Sequence, residues 1–306
     1  NGKNYSINQH KIYYILSSIM AAINNSSENK PEIKIESNWG SLCDGSPSTK
    51  LSNFDSTDRE LPKNAFMLQD LFTISECESL IQASENEGGF GYTNYRKEYR
   101  GNLRLITTDK SMTEVMWNRI KPFVPETLTI DGEEWHSSGL NECWRISKYH
   151  PGDQFGTHYD ASFARSNDEQ SIYTVNAYMN GEFTGGKTRF FDKLKNGNEI
   201  AAIKGTSGQC LIFMQPPGDR LAHDGEKVES GVKYLFRSDV MYTRTSSSSN
   251  SNKNIEKNEK DDETLGLEML KQARDLEADS KLPEAFEIYS RLKMFYPEVA
   301  AKNNVL

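Results

Sequence analysis

The chain has 306 residues, 36% hydrophobic and 26% charged, which suits one well-buried domain of ordinary size plus appendages. A net charge of -8 supplies neither phosphate attraction nor counterion release, so the composition speaks against a nucleic-acid or anionic-membrane binder. Four cysteines, Cys43, Cys77, Cys143 and Cys210, stand far apart without CxxC spacing and read as small buried hydrophobes in a reducing compartment, not as a disulfide framework.

Residues 11–23, KIYYILSSIMAAI, set an apolar run behind Lys3 and Lys11, too short to span a membrane and broken by Ser17 and Ser18. The expected location is cytoplasmic; the alternative is the secretory pathway or ER, if residues 1–23 act as a signal. Asn, Ser, Lys, Glu and Asp then dominate to about residue 60, and 1–60 is expected to be disordered or loosely ordered, with Trp39 and Leu42 making one local contact. Order is expected from FMLQDLFTISECESLIQASENEGGF onward. There Ser75 and Glu78 suggest a capping box, Cys77, Leu80, Ile81 and Ala83 an apolar stripe, and Gly88-Gly89 a stop. A second helix is predicted with Ser111 and Glu114 as its cap and Met112, Val115, Met116 and Ile120 on one face, ending at Pro122. Between the two lies the basic, aromatic segment Tyr95 to Asp109.

From Asn141 to Tyr242 the pattern becomes strands. ECWRISKY, SIYTVNAYM, KTRFFD, CLIFMQ and VKYLFRSDVMY are rich in β-branched and aromatic residues and are separated by Pro151-Gly152, Gly185-Gly186 and Pro216-Pro217-Gly218. Short strands at this spacing predict a double-sheet jelly roll, which hides its edges. The fold class is therefore α+β, a double-stranded β-helix over residues 61–245 with N-terminal supporting helices. Residues 246–262, nearly devoid of apolar side chains, form a flexible linker. In 263–306 helical periodicity returns, and Ala273, Ala285, Tyr289 and Pro297 fall at offsets of 12, 16 and 24 from the first. That spacing resembles one tetratricopeptide repeat, a helical hairpin that needs a neighbour, either the catalytic domain or another protein.

The chemistry concentrates in YHPGDQFGTHYD, residues 149–160, and LAHDGEKVESGVKY, residues 221–234. Two imidazoles and one carboxylate make a facial Fe(II) site with open positions. If the first stretch is a strand, His158 and Asp160 share a face, and His223 from a distant strand completes the set.

The segment from about Leu68 to Tyr242 resembles the 2-oxoglutarate- and Fe(II)-dependent dioxygenases of the prolyl 4-hydroxylase type. The resemblance rests on ordered pieces: Y-x-P-G-x-x-F-x-x-H-x-D, then AYMNGEFTGGKTRFF at 177–191, KGTSGQCLIF at 204–213, and H-x-G-x-x-V-x-x-G-x-K at 223–233. It implies that His158, Asp160 and His223 hold Fe(II), that Lys233 pairs with the far carboxylate of 2-oxoglutarate, and that Tyr149 and Thr188 hydrogen-bond it. Arg237, four residues past Lys233 and on the same strand face, either shares the carboxylate role, contacts substrate, or pairs with Asp239 or another carboxylate; the spacing of ten from His223 favours Lys233. The implied cofactors are Fe(II), 2-oxoglutarate and O2, with ascorbate as an accessory. The implied reaction couples decarboxylation of 2-oxoglutarate to succinate with hydroxylation of an unactivated C–H bond. Arg100, Asn102 and Arg104 are candidate substrate contacts, weighed evenly against a solvated basic loop. His136 and His150 read as structural or exposed, and Tyr178 and Trp144 as core.

The leading expectation is prolyl 4-hydroxylation of a protein or peptide. The alternatives are a dioxygenase acting on a free amino acid or other small molecule, and, outside enzymology, a jelly-roll binding module whose helical repeat does the work.

Overall fold

The structure, a computed structural model, describes residues 31–52, 61–87, 89–244 and separate stretches between 266 and 305. The signal-like run 11–23, the 246–262 linker and Ala285 lie outside the described residues. The chain divides into two compact units, 1–245 and 246–306. In the second, helix α3 (Pro297–Lys302) contributes Val299 and Ala300 to a cluster with Leu270 and Leu292, against which Met269, Tyr289 and Val305 pack.

The first unit begins with β1 (Ile33–Glu36), β2 (Lys50–Leu51) and β3 (Ala65–Gln69), then helix α1 (Ile74–Glu87), β4 (Gly91–Tyr92), β5 (Leu103–Thr108) and helix α2 (Lys110–Ile120). It continues with β6 (Thr127–Ile130), β7 (Glu133–Leu140), β8 (Cys143–Tyr149), β9 (Phe155–His158), β10 (Ala164–Ser166) and β11 (Glu169–Tyr178). The remainder is β12 (Phe183–Gly185), β13 (Thr188–Phe191), β14 (Glu199–Ile203), β15 (Cys210–Met214), β16 (Ala222–Gly225), β17 (Val228–Gly231) and β18 (Lys233–Arg244). A large sheet runs β1-β5-β8-β18-β11-β15-β3-β2, and a smaller one runs β14-β13-β16-β9. Strands distant in sequence are thus neighbours in each sheet, as the jelly roll requires. β11 and β15 are buried along almost their whole length, which is why β15 is continuously apolar and β11 does not alternate between apolar and polar residues. None of the four cysteines is in a disulfide. No helix among the described residues is long and apolar enough to cross a membrane.

Both helix starts differ from the sequence expectation. The capping box of α1 is formed by Thr73 and Glu76: Thr73 Oγ1 accepts from Glu76 N at 3.2 Å while Glu76 Oε2 accepts from Thr73 N at 2.8 Å. Buried Glu76 is selected there because it also pairs with half-buried Arg119 at 2.8 Å, a partner invisible in local sequence. Asp109 caps α2, accepting from Met112 N at 2.8 Å, and its other oxygen takes Trp39 N and Ser37 Oγ, both at 2.6 Å. Such a cap is worth about 1 kcal/mol on its own.

These same contacts correct the expectation of a disordered or loosely ordered segment over residues 31–52, the described part of 1–60. Within 31–52, β1 pairs in parallel with β5 and Trp39 is buried, its indole N–H donating to Glu87 at 2.8 Å. A segment poor in apolar residues is ordered because its polar groups are satisfied by Asp109, Glu87 and Arg119, which donates to the carbonyls of Cys43 and Gly45.

Candidate metal and cosubstrate site

The smaller sheet brings the two histidines together. His158 ends β9 and His223 lies in β16, and the two are direct cross-strand partners with ring centroids 4.3 Å apart. Each ring is oriented by its own backbone: Nδ1 of His158 meets the Gly156 carbonyl and Nδ1 of His223 the Leu221 carbonyl, both at 2.9 Å. A carbonyl can only accept, so in the neutral rings Nδ1 carries the proton and Nε2 keeps its lone pair. Both Nε2 atoms face Asp160, 3.6 Å from Oδ1 for His158 and 3.6 Å from Oδ2 for His223.

Asp160 reaches this point by a different route from the one the strand pattern suggests. β9 stops at His158, so Asp160 sits beyond the strand, and its side chain is held by the larger sheet. Thr174 on β11 donates to Asp160 Oδ2 at 2.7 Å, and Arg237 on β18 approaches Oδ1 to 3.3 Å. Burial would raise the Asp160 carboxyl, but the Arg237 charge and the two imidazoles outweigh it and hold the group well below the ordinary carboxylate range. Burial, reinforced by His158, pushes His223 down to about 4, against the attraction of Asp160. The result is an ionised carboxylate and two aimed imidazole lone pairs, with one ligand atom from each residue lying within 4.8 Å of the others. Such a donor set suits Fe(II).

On the larger sheet, Lys233 at the start of β18 pairs in register with Tyr149 at the end of β8. Its ammonium is buried and surrounded by rings, 5.4 Å from the centroid of Tyr149, 5.6 Å from Tyr178 and 6.0 Å from Phe183. It donates one hydrogen bond, to the Gly186 carbonyl at 2.7 Å. Gly186 presents that carbonyl with φ +63°, which a side chain would strain. Burial lowers Lys233 to about 8, although Glu226 and Asp224 pull the other way. A buried cation with two further donors and no ion-pair partner among the described residues suits the remote carboxylate of a dicarboxylate.

Thr188 is buried and accepts from the Tyr178 hydroxyl at 2.8 Å, which joins Tyr178, expected to be core, to the wall of the lysine pocket. Gly205 makes room for that ring: a Cβ there would lie 2.1 Å from Tyr178 Cγ. Trp144 is core, donating to Thr113 at 2.9 Å, and His136 and His150 pair with Glu134 and Asp153 away from the site.

Arg237 is engaged by two carboxylates, Asp160 at 3.3 Å and Asp239 at 3.2 Å; Asp239 also accepts from Arg145 at 3.0 Å and Asn141 at 3.2 Å. The Arg237–Asp239 contact lacks hydrogen-bond geometry, so Asp239 Oδ1 and Arg237 Nε are buried without a hydrogen-bond partner, as is Oδ1 of Asn176, the register neighbour of Arg237 on β11. The sequence offers Asp239 as a partner of Arg237, and the structure shows that pair. Thr174 and Asn176 were not legible as site residues; their only sequence signal is polarity inside an otherwise largely apolar strand.

The three candidate substrate contacts separate. Arg104 forms an ion pair with Glu32, and Asn102 is fully buried with its amide donating to the Leu103 carbonyl at 3.0 Å and Ser147 at 3.2 Å. Arg100 stacks over Phe155 at 4.2 Å, and the Phe155 ring stacks on His158 at 3.8 Å.

Residues 144–238, which contain both histidines, Asp160 and Lys233, match the model of the 2OG-Fe(II) oxygenase superfamily. This stretch is a 2OG-Fe(II) oxygenase domain. The superfamily's cofactors are Fe(II), 2-oxoglutarate and O2, and the residues described above fit the first two. No curated protein matches the chain. Among solved structures it is similar to a viral collagen prolyl hydroxylase from Paramecium bursaria Chlorella virus-1 in complex with 2OG (18% identity, TM-score 0.41, covering 59% of this chain and 96% of that one). It is also similar to a Pseudomonas putida prolyl-4-hydroxylase (14%, 0.42, 60% and 94%). A third is a Trichoplax adhaerens prolyl hydroxylase in complex with a hypoxia inducible factor oxygen degradation domain peptide fragment (14%, 0.39, 58% and 83%).

Proposed function

We propose that the chain is a prolyl 4-hydroxylase acting on a protein or peptide, with His158, Asp160 and His223 as Fe(II) ligands and Lys233, Tyr149 and Thr188 as the 2-oxoglutarate pocket. The observation that carries the oxygenase reading is the convergence of the three donors in a domain that also holds a buried lysine with no carboxylate partner among the described residues. The prolyl assignment is supported by the ordered motifs, above all the ten-residue spacing from His223 to Lys233. A peptide, not a small molecule, is supported by the open aromatic edge beside His158, where Tyr95 and Tyr99 are exposed.

When bound, Fe(II) and 2-oxoglutarate would supply the activation of O2, whose two oxygen atoms go to the hydroxylated C–H bond and to succinate, with CO2 released. The chain's own residues set the geometry. The Gly156 and Leu221 carbonyls fix both imidazoles, Thr174 and Arg237 fix the carboxylate, and Lys233 anchors the far end of the cosubstrate. Phe155 covers one face of His158 and keeps water from it.

Two measurements test this. Anaerobic Fe(II) and 2-oxoglutarate added to the full chain should produce the weak visible charge-transfer band of the chelate, and His158→Ala should lose both the band and succinate production. A folded wild-type chain without the band would overturn the oxygenase site. Incubation with cell extract followed by mapping of +16 modifications tests the substrate: modification confined to residues other than proline would sink the prolyl assignment.

A further inference from the structure

Residues 99–101 lie against the β9 edge of the smaller sheet. Gly156 N donates to the Tyr99 carbonyl at 2.6 Å and Gly101 N to the Gln154 carbonyl at 2.9 Å, so the backbone of 99–101 runs beside β9 as an added strand. Gly156 is what lets Tyr99 lie across that strand, since a Cβ there would come within 2.5 Å of the Tyr99 ring. The register places Arg100 opposite Phe155. Its guanidinium lies over Phe155 at 4.2 Å and over Tyr95 at 5.4 Å.

Arg100 differs from the cations around it. Arg104 has Glu32, and Arg237 has Asp160 and Asp239. Arg100 donates through Nε to Asn102 Oδ1 at 3.2 Å, and no carboxylate of the described residues is within ion-pair distance of it. Both terminal nitrogens remain available. Burial, with the nearby charge of Arg104, lowers it to about 10, the direction expected of a cation held without an anion. Ring stacking leaves the edge of a guanidinium open, and that edge matches a carboxylate bidentately.

Resting on the peptide reading above, we infer that Arg100 is a receptor for a carboxylate carried by the substrate, so that the preferred peptide has an acidic group close to the hydroxylated residue. Distance sets how close. The two layer spacings, 4.2 and 3.8 Å, bound the separation of the Arg100 guanidinium from the His158 imidazole at their sum. An extended chain advances about 3.5 Å per residue, so that span corresponds to about two residues and the carboxylate falls close to the reacting carbon. Either an acidic side chain or a chain-terminal carboxylate satisfies that chemistry.

The test uses the full chain loaded with Mn(II) and 2-oxoglutarate, titrated calorimetrically with acetylated, proline-centred hexapeptide amides. One set carries Glu or Gln two residues after the proline; a second compares a free C-terminal acid with its amide at the same distance. We expect one acid to bind at least tenfold tighter than its neutral counterpart, and which of the two does so identifies the source of the carboxylate. Arg100→Gln should bring the ratio within twofold and Arg100→Lys should retain part of it, while exposed Arg96→Gln leaves it unchanged. A wild-type ratio near one in both sets, or a ratio that survives Arg100→Gln, overturns the inference; the wild-type ratio decides it even if the variant fails to fold. The prolyl reading is scored separately under Fe(II) and air. An acid preference without +16 on proline sinks that reading and leaves the Arg100 receptor standing.

Discussion

Lys233 and Arg237 lie four residues apart on one strand and face the same side of the larger sheet, yet their charges are treated in opposite ways. Arg237 stands between Asp160 and Asp239, and these carboxylates more than offset the cost of burying it, so its charge is strengthened. Lys233 has three aromatic rings and one carbonyl, and burial weakens its charge. A cation neutralised within the protein shapes the protein, while one left unneutralised is available to a ligand. The sequence alone leaves both residues as candidates for the cosubstrate carboxylate, and their partners assign that role to Lys233 in our proposal.

The contrast is broken most strongly at Lys233. Lys233→Met keeps the stem and removes the charge, so the KM for 2-oxoglutarate should rise about 100-fold, the upper range for losing charge-assisted hydrogen bonds. Metal affinity, measured by Mn(II) or Co(II) binding, should stay within about threefold. The thermal midpoint of the ligand-free chain should hold or rise, because a buried cation without a partner is costly to the fold.

Arg237→Gln should give the reverse pattern. Asp160 loses one of its two orienting partners, and metal affinity should fall at least about tenfold, the usual scale for residues that orient ligands. The KM for 2-oxoglutarate at saturating metal should move less than about threefold, and the thermal midpoint should drop because Asp239 loses one of its two guanidinium neighbours. If Arg237→Gln raised KM as much as Lys233→Met while sparing metal affinity, the assignment of the two roles would be inverted.

What could be read from the chain follows from how locally each feature is encoded. The strand unit and the meeting of His158 with His223 were legible because buried strands are mostly apolar or aromatic and these residues sit in short, spaced motifs. The helix caps were displaced because Ser75–Glu78 and Thr73–Glu76 satisfy the same local rule, and Arg119, far along the chain, selects between them. The order of residues 31–52 was missed for a related reason. Composition measures how much apolar surface a segment can bury, whereas this one is fixed mainly by donors and acceptors on Asp109, Glu87 and Arg119. Thr174 and Asn176 were hidden inside a strand whose apolar neighbours dominate its pattern.

The smallest effect is also the most specific to Lys233. Its charged form is lost as pH rises through about 8, well below the ordinary lysine value, because burial penalises the ammonium. Binding of the dicarboxylate requires that form, so kcat/KM for 2-oxoglutarate should fall above pH 8, by about tenfold at pH 9 where roughly one lysine in ten remains protonated. With cosubstrate bound, the added negative charge raises the lysine again, so kcat should stay flat over the same range. Lys233→Arg offers a permanent cation and should abolish the alkaline limb while raising KM, and Arg237→Gln should leave the limb in place. An alkaline limb that persists in Lys233→Arg would assign it to another group, and the difference between the two cations would then rest on their carboxylate partners alone.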